Sequence, residues 1–139
     1  MGTVQRSLRI PTELAKAIQR AAEDSGRDFS SVTNELLSEA VRLRRCPGIL
    51  FADGPSGRRA RIAGSGIEVW EIIRTYRSLR RNVKRLLKAY HWLSELQLRA
   101  ALGYYTAYPD EIDRQIAHNE AWTEERLLER HPTLAADRR

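Results

Sequence analysis

Cysteine is nearly missing from this chain of 139 residues. The single Cys46 leaves no intrachain disulfide and no second thiolate for a zinc site. No apolar run is long enough to span a bilayer. The N-terminus has neither the hydrophobic stretch nor the small-residue cleavage site of a secretory signal, so the expected location is cytoplasmic and no membrane partner is expected. His91, His118 and His131 stand at no metal-ligand spacing, and no serine or cysteine sits in a nucleophile motif. Asp110, Glu111, Asp113, Glu124 and Glu125 have ligand chemistry, but they fall on an expected surface helix with no apolar surround. Gly64-Ser65-Gly66 lacks the lysine that completes a phosphate loop and reads as a turn. The expectation is therefore a protein that is not an enzyme, with no catalytic residue, no metal and no cofactor.

What the chain does have is charge, unevenly spread. The formal net charge is +6, which suits a polyanionic partner. Residues 1–45 carry 8 Lys/Arg against 6 Asp/Glu, residues 46–108 carry 11 against 4, and residues 109–139 carry 5 against 8. A mildly basic head, a strongly basic middle and an acidic tail point to separate partners for separate parts, or to a tail that is simply a solvated acidic helix. The three segments are the expected domains: 1–45, 46–108 and 109–139.

The head opens on a strand candidate, residues 3–10, closed by Pro11. Val4, Leu8 and Ile10 share one face of an extended chain, whereas Gln5, Ser7 and Arg9 share the other. Two helix-like segments follow, so no second strand is near in sequence. A lone strand leaves its backbone groups unpaired, and the expected partner is the same strand of a second copy. Such a two-stranded ribbon fits the DNA major groove. Leu14, Ala17, Ile18, Ala21 and Ala22 then mark a first helix that Gly26 stops. Asp28 is a candidate N-cap for a second, with the apolar stripe Val32, Leu36, Leu37, Ala40 and Val41. A strand and two short helices are too little for a stable monomeric core, and dimerisation supplies the missing half.

The run RSLRIPTELAKAIQRAAEDSGRDFSSVTNELLSEAVR resembles a ribbon-helix-helix DNA-binding domain of the CopG/Arc kind. The resemblance implies a homodimer on double-stranded operator DNA, with base contacts from Gln5, Ser7 and Arg9. It also implies a phosphate grip at the start of the second helix, Phe29, Ser30 and Ser31, where free N–H groups and the helix dipole favour an anion. Arg6 departs from the pattern, since it stands in the inward phase where that family prefers an aliphatic residue. The alternative for Gln5, Ser7 and Arg9 is the solvent face of an edge strand.

In the middle, Ile49 to Phe51 and Arg58 to Ile62 flank Asp53-Gly54-Pro55-Ser56-Gly57 and read as a hairpin. Helical spacing then marks Val69 to Leu79, Asn82 to Tyr90, and Ser94 to Tyr108 with Leu96, Leu98, Ala101, Leu102 and Tyr105 inward. The series GILFADGPSGRRARIAGSGIEVWEIIRTYRSLRRNVKRLLKAYHWLSELQLRAALGYYTAYPDEID resembles the family catalogued as domain of unknown function 433. That resemblance implies a hairpin ahead of a three-helix, helix-turn-helix-like unit, found in antitoxins of bacterial toxin-antitoxin pairs. Ile67 stands where the family's arginine follows the glycine run. Arg77, Arg80, Arg81, Lys84, Arg85 and Lys88 form a cationic face that is either a second DNA contact or a solvated surface.

In the tail, Pro109 and Asp110 begin a helix with a thin stripe of Ile112, Ile116 and Trp122. So polar a helix is poorly anchored in its own domain and suits docking on a toxin through Trp122, Arg126, Leu127, Leu128 and Arg130. The alternative is packing of Trp122 and the leucines within the protein. Residues 131–139, with Pro132 and Leu134, are expected to be disordered when unbound.

The fold expected is mainly α with minor β: a ribbon-helix-helix dimer, then a small hairpin plus three-helix domain and a C-terminal helix. The function expected is that of a type II antitoxin, a homodimeric autorepressor that neutralises a toxin, a PIN-type ribonuclease by resemblance, through its C-terminal half. The alternative is a stand-alone ribbon-helix-helix regulator whose middle domain binds an effector or further DNA.

Overall fold

A computed structural model describes residues 2–130; the expectations for residues 131–139, His131 and Leu134 included, lie outside the described residues. The chain is mainly helical with one small hairpin. In order it runs α1 (Thr12–Ser25), α2 (Phe29–Arg45), β1 (Ile49–Gly54), β2 (Gly57–Ile62), α3 (Val69–Ser78), α4 (Val83–Ala89), α5 (Glu95–Ala107) and α6 (Pro109–Arg130). It divides into two units, residues 1–44 and 45–139.

In the first unit, Pro11 stands just before α1 with an extended backbone, and its carbonyl accepts from the Ala15 N–H at 3.0 Å. Gly26 ends the helix in the left-handed conformation at φ 65°, and the Arg27 N–H reaches back to the Ala22 carbonyl at 3.0 Å. Asp28 caps α2: its Oδ1 accepts from the Ser31 N–H at 2.7 Å. The buried core is Ile18, Ala22 and Val32, with Phe29 packed against it. Leu14, Leu36, Leu37 and Val41, four members of the expected apolar stripes, are exposed. Residues 3–10, where a strand paired with a second copy is expected, carry no strand in the single chain. The described strands, β1 and β2, pair with each other, and a segment without a partner cannot close a ladder. Val4 and Leu8 are correspondingly bare.

The second unit holds the larger core. The hairpin is antiparallel in the register Ile49 with Ile62 through Gly54 with Gly57, turning on Pro55 and Ser56. Ile49 and Ile62, a pair on one face, are buried with Ala60. The turn at Gly64 to Gly66 closes on itself. Gly64 and Gly66 take positive φ, the Ser65 hydroxyl donates to the Ile62 carbonyl at 3.0 Å, and the Ile67 N–H donates to Ser65 Oγ at 3.1 Å. The α3 helix starts where the Glu71 carboxylate accepts from the Glu68 N–H at 2.9 Å, and it buries Val69, Ile72 and Ile73. Asn82 caps α4 through the Arg85 N–H, and Ser94 with Gln97 forms a capping box on α5.

Two expectations about this unit change. Leu96 is 80% exposed, whereas Tyr104, absent from the expected stripe, is fully buried. Ile112 and Ile116 of α6 are buried in the same core as α3 and α5, so the helix expected to be poorly anchored begins inside that core. The first half of α6 completes the domain because it supplies apolar surface that α3 and α5 would otherwise expose.

Candidate functional site

Three surfaces were expected to act, and they differ in how they are built. The N-terminal set Gln5, Ser7 and Arg9 is exposed along a segment without secondary structure. At the start of α2, Phe29 and Ser30 precede Ser31, whose N–H is already donated to Asp28. That bond, with a second from the Ser31 hydroxyl, holds the Asp28 carboxyl below its ordinary range. Of the three expected phosphate-gripping residues, Ser31 thus has its amide answered within the chain.

The cationic face of the middle is split. Arg80, Arg81, Lys84, Arg85 and Lys88 are exposed. Arg80 and Arg81 both take positive φ, 55° and 57°, in the tight link from α3 to α4. Arg77 is a correction. Its guanidinium donates to the Tyr105 hydroxyl and to Asp113, and that hydroxyl donates to the same carboxylate at 2.8 Å. Its carbon also lies 5.4 Å from the Tyr105 ring centre. Hydrogen bonds from Tyr105 first and Arg77 second hold Asp113 below the usual carboxylate value, and hydrogen bonds to Tyr105 first and Asp113 second raise Arg77. Arg77 therefore ties α3 to α5 and α6, and its charge is answered inside the unit. Helical phase carried the signal: Arg77 lies four residues after buried Ile73, on the edge of the core face.

On α6, Trp122 is 49% exposed, and Leu127 is about as open. The Arg126 guanidinium lies 4.1 Å from the Trp122 ring centre. Trp122, Arg126, Leu127 and Arg130 line a shallow groove of about 220 Å³, while Leu128 is half-buried. Trp122 also lines a second cavity of about 380 Å³, with Arg59 and Trp70. Arg59 was not singled out by its sequence. It shares a strand face with Arg61, opposite the core face of Ala60 and Ile62, and nothing local reveals that this second face is covered.

Among the described residues no group of three His, Cys, Asp or Glu could hold a metal ion, and no helix is long and apolar enough to cross a membrane.

No family model matches the chain, and no curated protein does. It is similar to a DUF433 member protein from Anabaena variabilis whose crystal structure is solved. The identity is 30%, over 71% of this chain and 95% of that one, with a TM-score of 0.43. The identity, sustained over nearly the whole length of the relative, is the basis of the assignment: this chain belongs to the family of domain of unknown function 433.

Proposed function

We propose that the chain is a homodimeric ribbon-helix-helix DNA-binding protein, the antitoxin of a type II toxin-antitoxin pair. The observation that carries the reading is the unfinished core of residues 1–44. Three residues are buried there, while Leu14, Leu36, Leu37 and Val41 stay exposed along both helices. A second copy covers such stripes and gives residues 3–10 a strand partner, which sets Gln5, Ser7 and Arg9 twice in a major groove. The exposed Arg80, Arg81, Lys84, Arg85 and Lys88 supply a phosphate-following face.

Toxin binding is assigned to Trp122, Arg126, Leu127, Leu128 and Arg130. What supports it is an indole and a leucine, both half-exposed on a helix whose two isoleucines, Ile112 and Ile116, are already buried. A PIN-type ribonuclease is the proposed toxin by resemblance, with Arg126 or Arg130 answering carboxylates of its site. Co-expression with the adjacent gene and co-purification test this. Capture of the neighbouring product that is lost in Trp122→Ala is expected, and its retention in that variant would contradict the assignment.

One observation favours the second reading, a stand-alone regulator with an effector-binding middle domain: the 380 Å³ cavity beside Arg59 has the size of small-ligand sites.

A further inference from the structure

We infer that the cavity between the hairpin turn, Trp70 and the second half of α6 binds a small aromatic anion, a flat ring bearing a carboxylate or phosphate. The inference rests on the effector-binding reading of the middle domain, and the cavity shares Trp122 with the proposed toxin surface.

Arg59 decides the sign of the ligand. It lines the cavity and is 7% exposed, yet among the described residues it has no acidic partner. Its strand neighbours differ: Arg58 lies 3.5 Å from Asp53, and Arg61 lies 3.8 Å from Glu68. No Arg59 nitrogen is buried without a partner, so the guanidinium meets solvent through the cavity, and an anion entering there supplies the counter-charge it lacks. Glu68, the carboxylate on the wall, does not complete it. It accepts from Trp70 Nε1 and faces Arg61.

The rings decide the shape. Trp70 and Trp122 both line the cavity, and each has an arginine over it, Arg74 at 5.1 Å and Arg126 at 4.1 Å from the ring centres. Those cations deepen the positive field around the cavity and favour an anion over the cations that aromatic pockets otherwise accept. Flat indole walls favour a planar ligand through stacking. His118 and Asn119, on the same wall, supply hydrogen-bonding groups for its edge.

The test is titration of the full chain, by tryptophan fluorescence and calorimetry, with 1-naphthoate, adenosine monophosphate, acetate, inorganic phosphate and choline. At least one of the first two is expected to saturate, about tenfold or more tighter than the bare anions, and which one does identifies the anionic group. Arg59→Met is expected to weaken that ligand about tenfold or more, with Arg59→Lys between. Should Arg59→Met fail to fold, Trp122→Ala, at a half-exposed position, reads the same site and is expected to weaken binding severalfold. Binding of choline instead, equal affinity for acetate or phosphate, unchanged affinity in a folded Arg59→Met or in Trp122→Ala, or no binding of either aromatic anion would overturn the inference.

Discussion

Arg77 on α3 reaches Asp113 on α6, and the Tyr105 hydroxyl donates to the same carboxylate at 2.8 Å. The triangle closes three helices around the core, so a residue read as part of a DNA-facing stripe is a structural tie.

Asp113→Asn is expected to lower the stability of residues 45–130 by about 1 kcal/mol at neutral pH, a figure kept small because both side chains are more than a third exposed. The folded carboxyl lies below its ordinary value, so its contribution is complete above about 3.9 and is lost as pH falls through the folded value. The gap between wild type and variant should therefore close in acid. All three tryptophans lie in this unit, so urea melts followed by fluorescence at a series of pH values from 7 downward measure it directly. A gap that stays constant as the pH falls until the fold itself is lost would remove Asp113 as its source.

Arg80→Gly should stabilise the same unit by about 1 kcal/mol, because a left-handed residue with a Cβ carries a strain that glycine lacks. Arg80 is exposed with φ 55°. No gain in the urea midpoint would show that Arg80 has contacts offsetting that strain.

Two substitutions on α6 should separate its halves. Ile112→Ala, at a fully buried position, should cost about 2–5 kcal/mol. Trp122→Ala should leave the fold near its original stability yet lose toxin capture. Deleting the chain from residue 110 removes Ile112 and Ile116 with the tail, so a truncation that spares the fold has to begin beyond Ile116. Thermal melts beside co-purification distinguish the two; equal destabilisation by both would make Trp122 a core residue.

Much of this was legible because turns and caps are written locally. Gly54-Pro55-Ser56-Gly57 gave the hairpin, Ser94 the start of α5, and Gly26 the end of α1. The misses came where a face is defined by what lies across from it. Leu96 lies about 200° around the helix from Leu98 at about 100° per residue, so phase alone separated it from the buried stripe. Tyr104 and Arg77 also sit where phase points inward. Ile112 and Ile116 looked like a thin stripe because the surfaces that cover them, on α3 and α5, are distant in sequence. Arg59 left no signal, since burial of a hairpin's second face depends on α3 and α6.

Arg9→Ala should reduce specific operator binding by about 1–3 kcal/mol and relax base preference, whereas Arg81→Ala or Lys84→Ala should weaken all DNA about equally. Arg77→Met, once corrected for stability, should leave affinity unchanged. Titrations against cognate and scrambled duplexes at two salt concentrations separate these outcomes; uniform weakening by Arg9→Ala would make it a phosphate contact.

The dimer is the premise of the DNA-binding account, and sedimentation of the full chain at micromolar concentration tests it most directly. A species of twice the chain mass, lost when Leu36 and Val41 are replaced by charged residues, is the predicted result. A stable, folded monomer at that concentration would contradict the account.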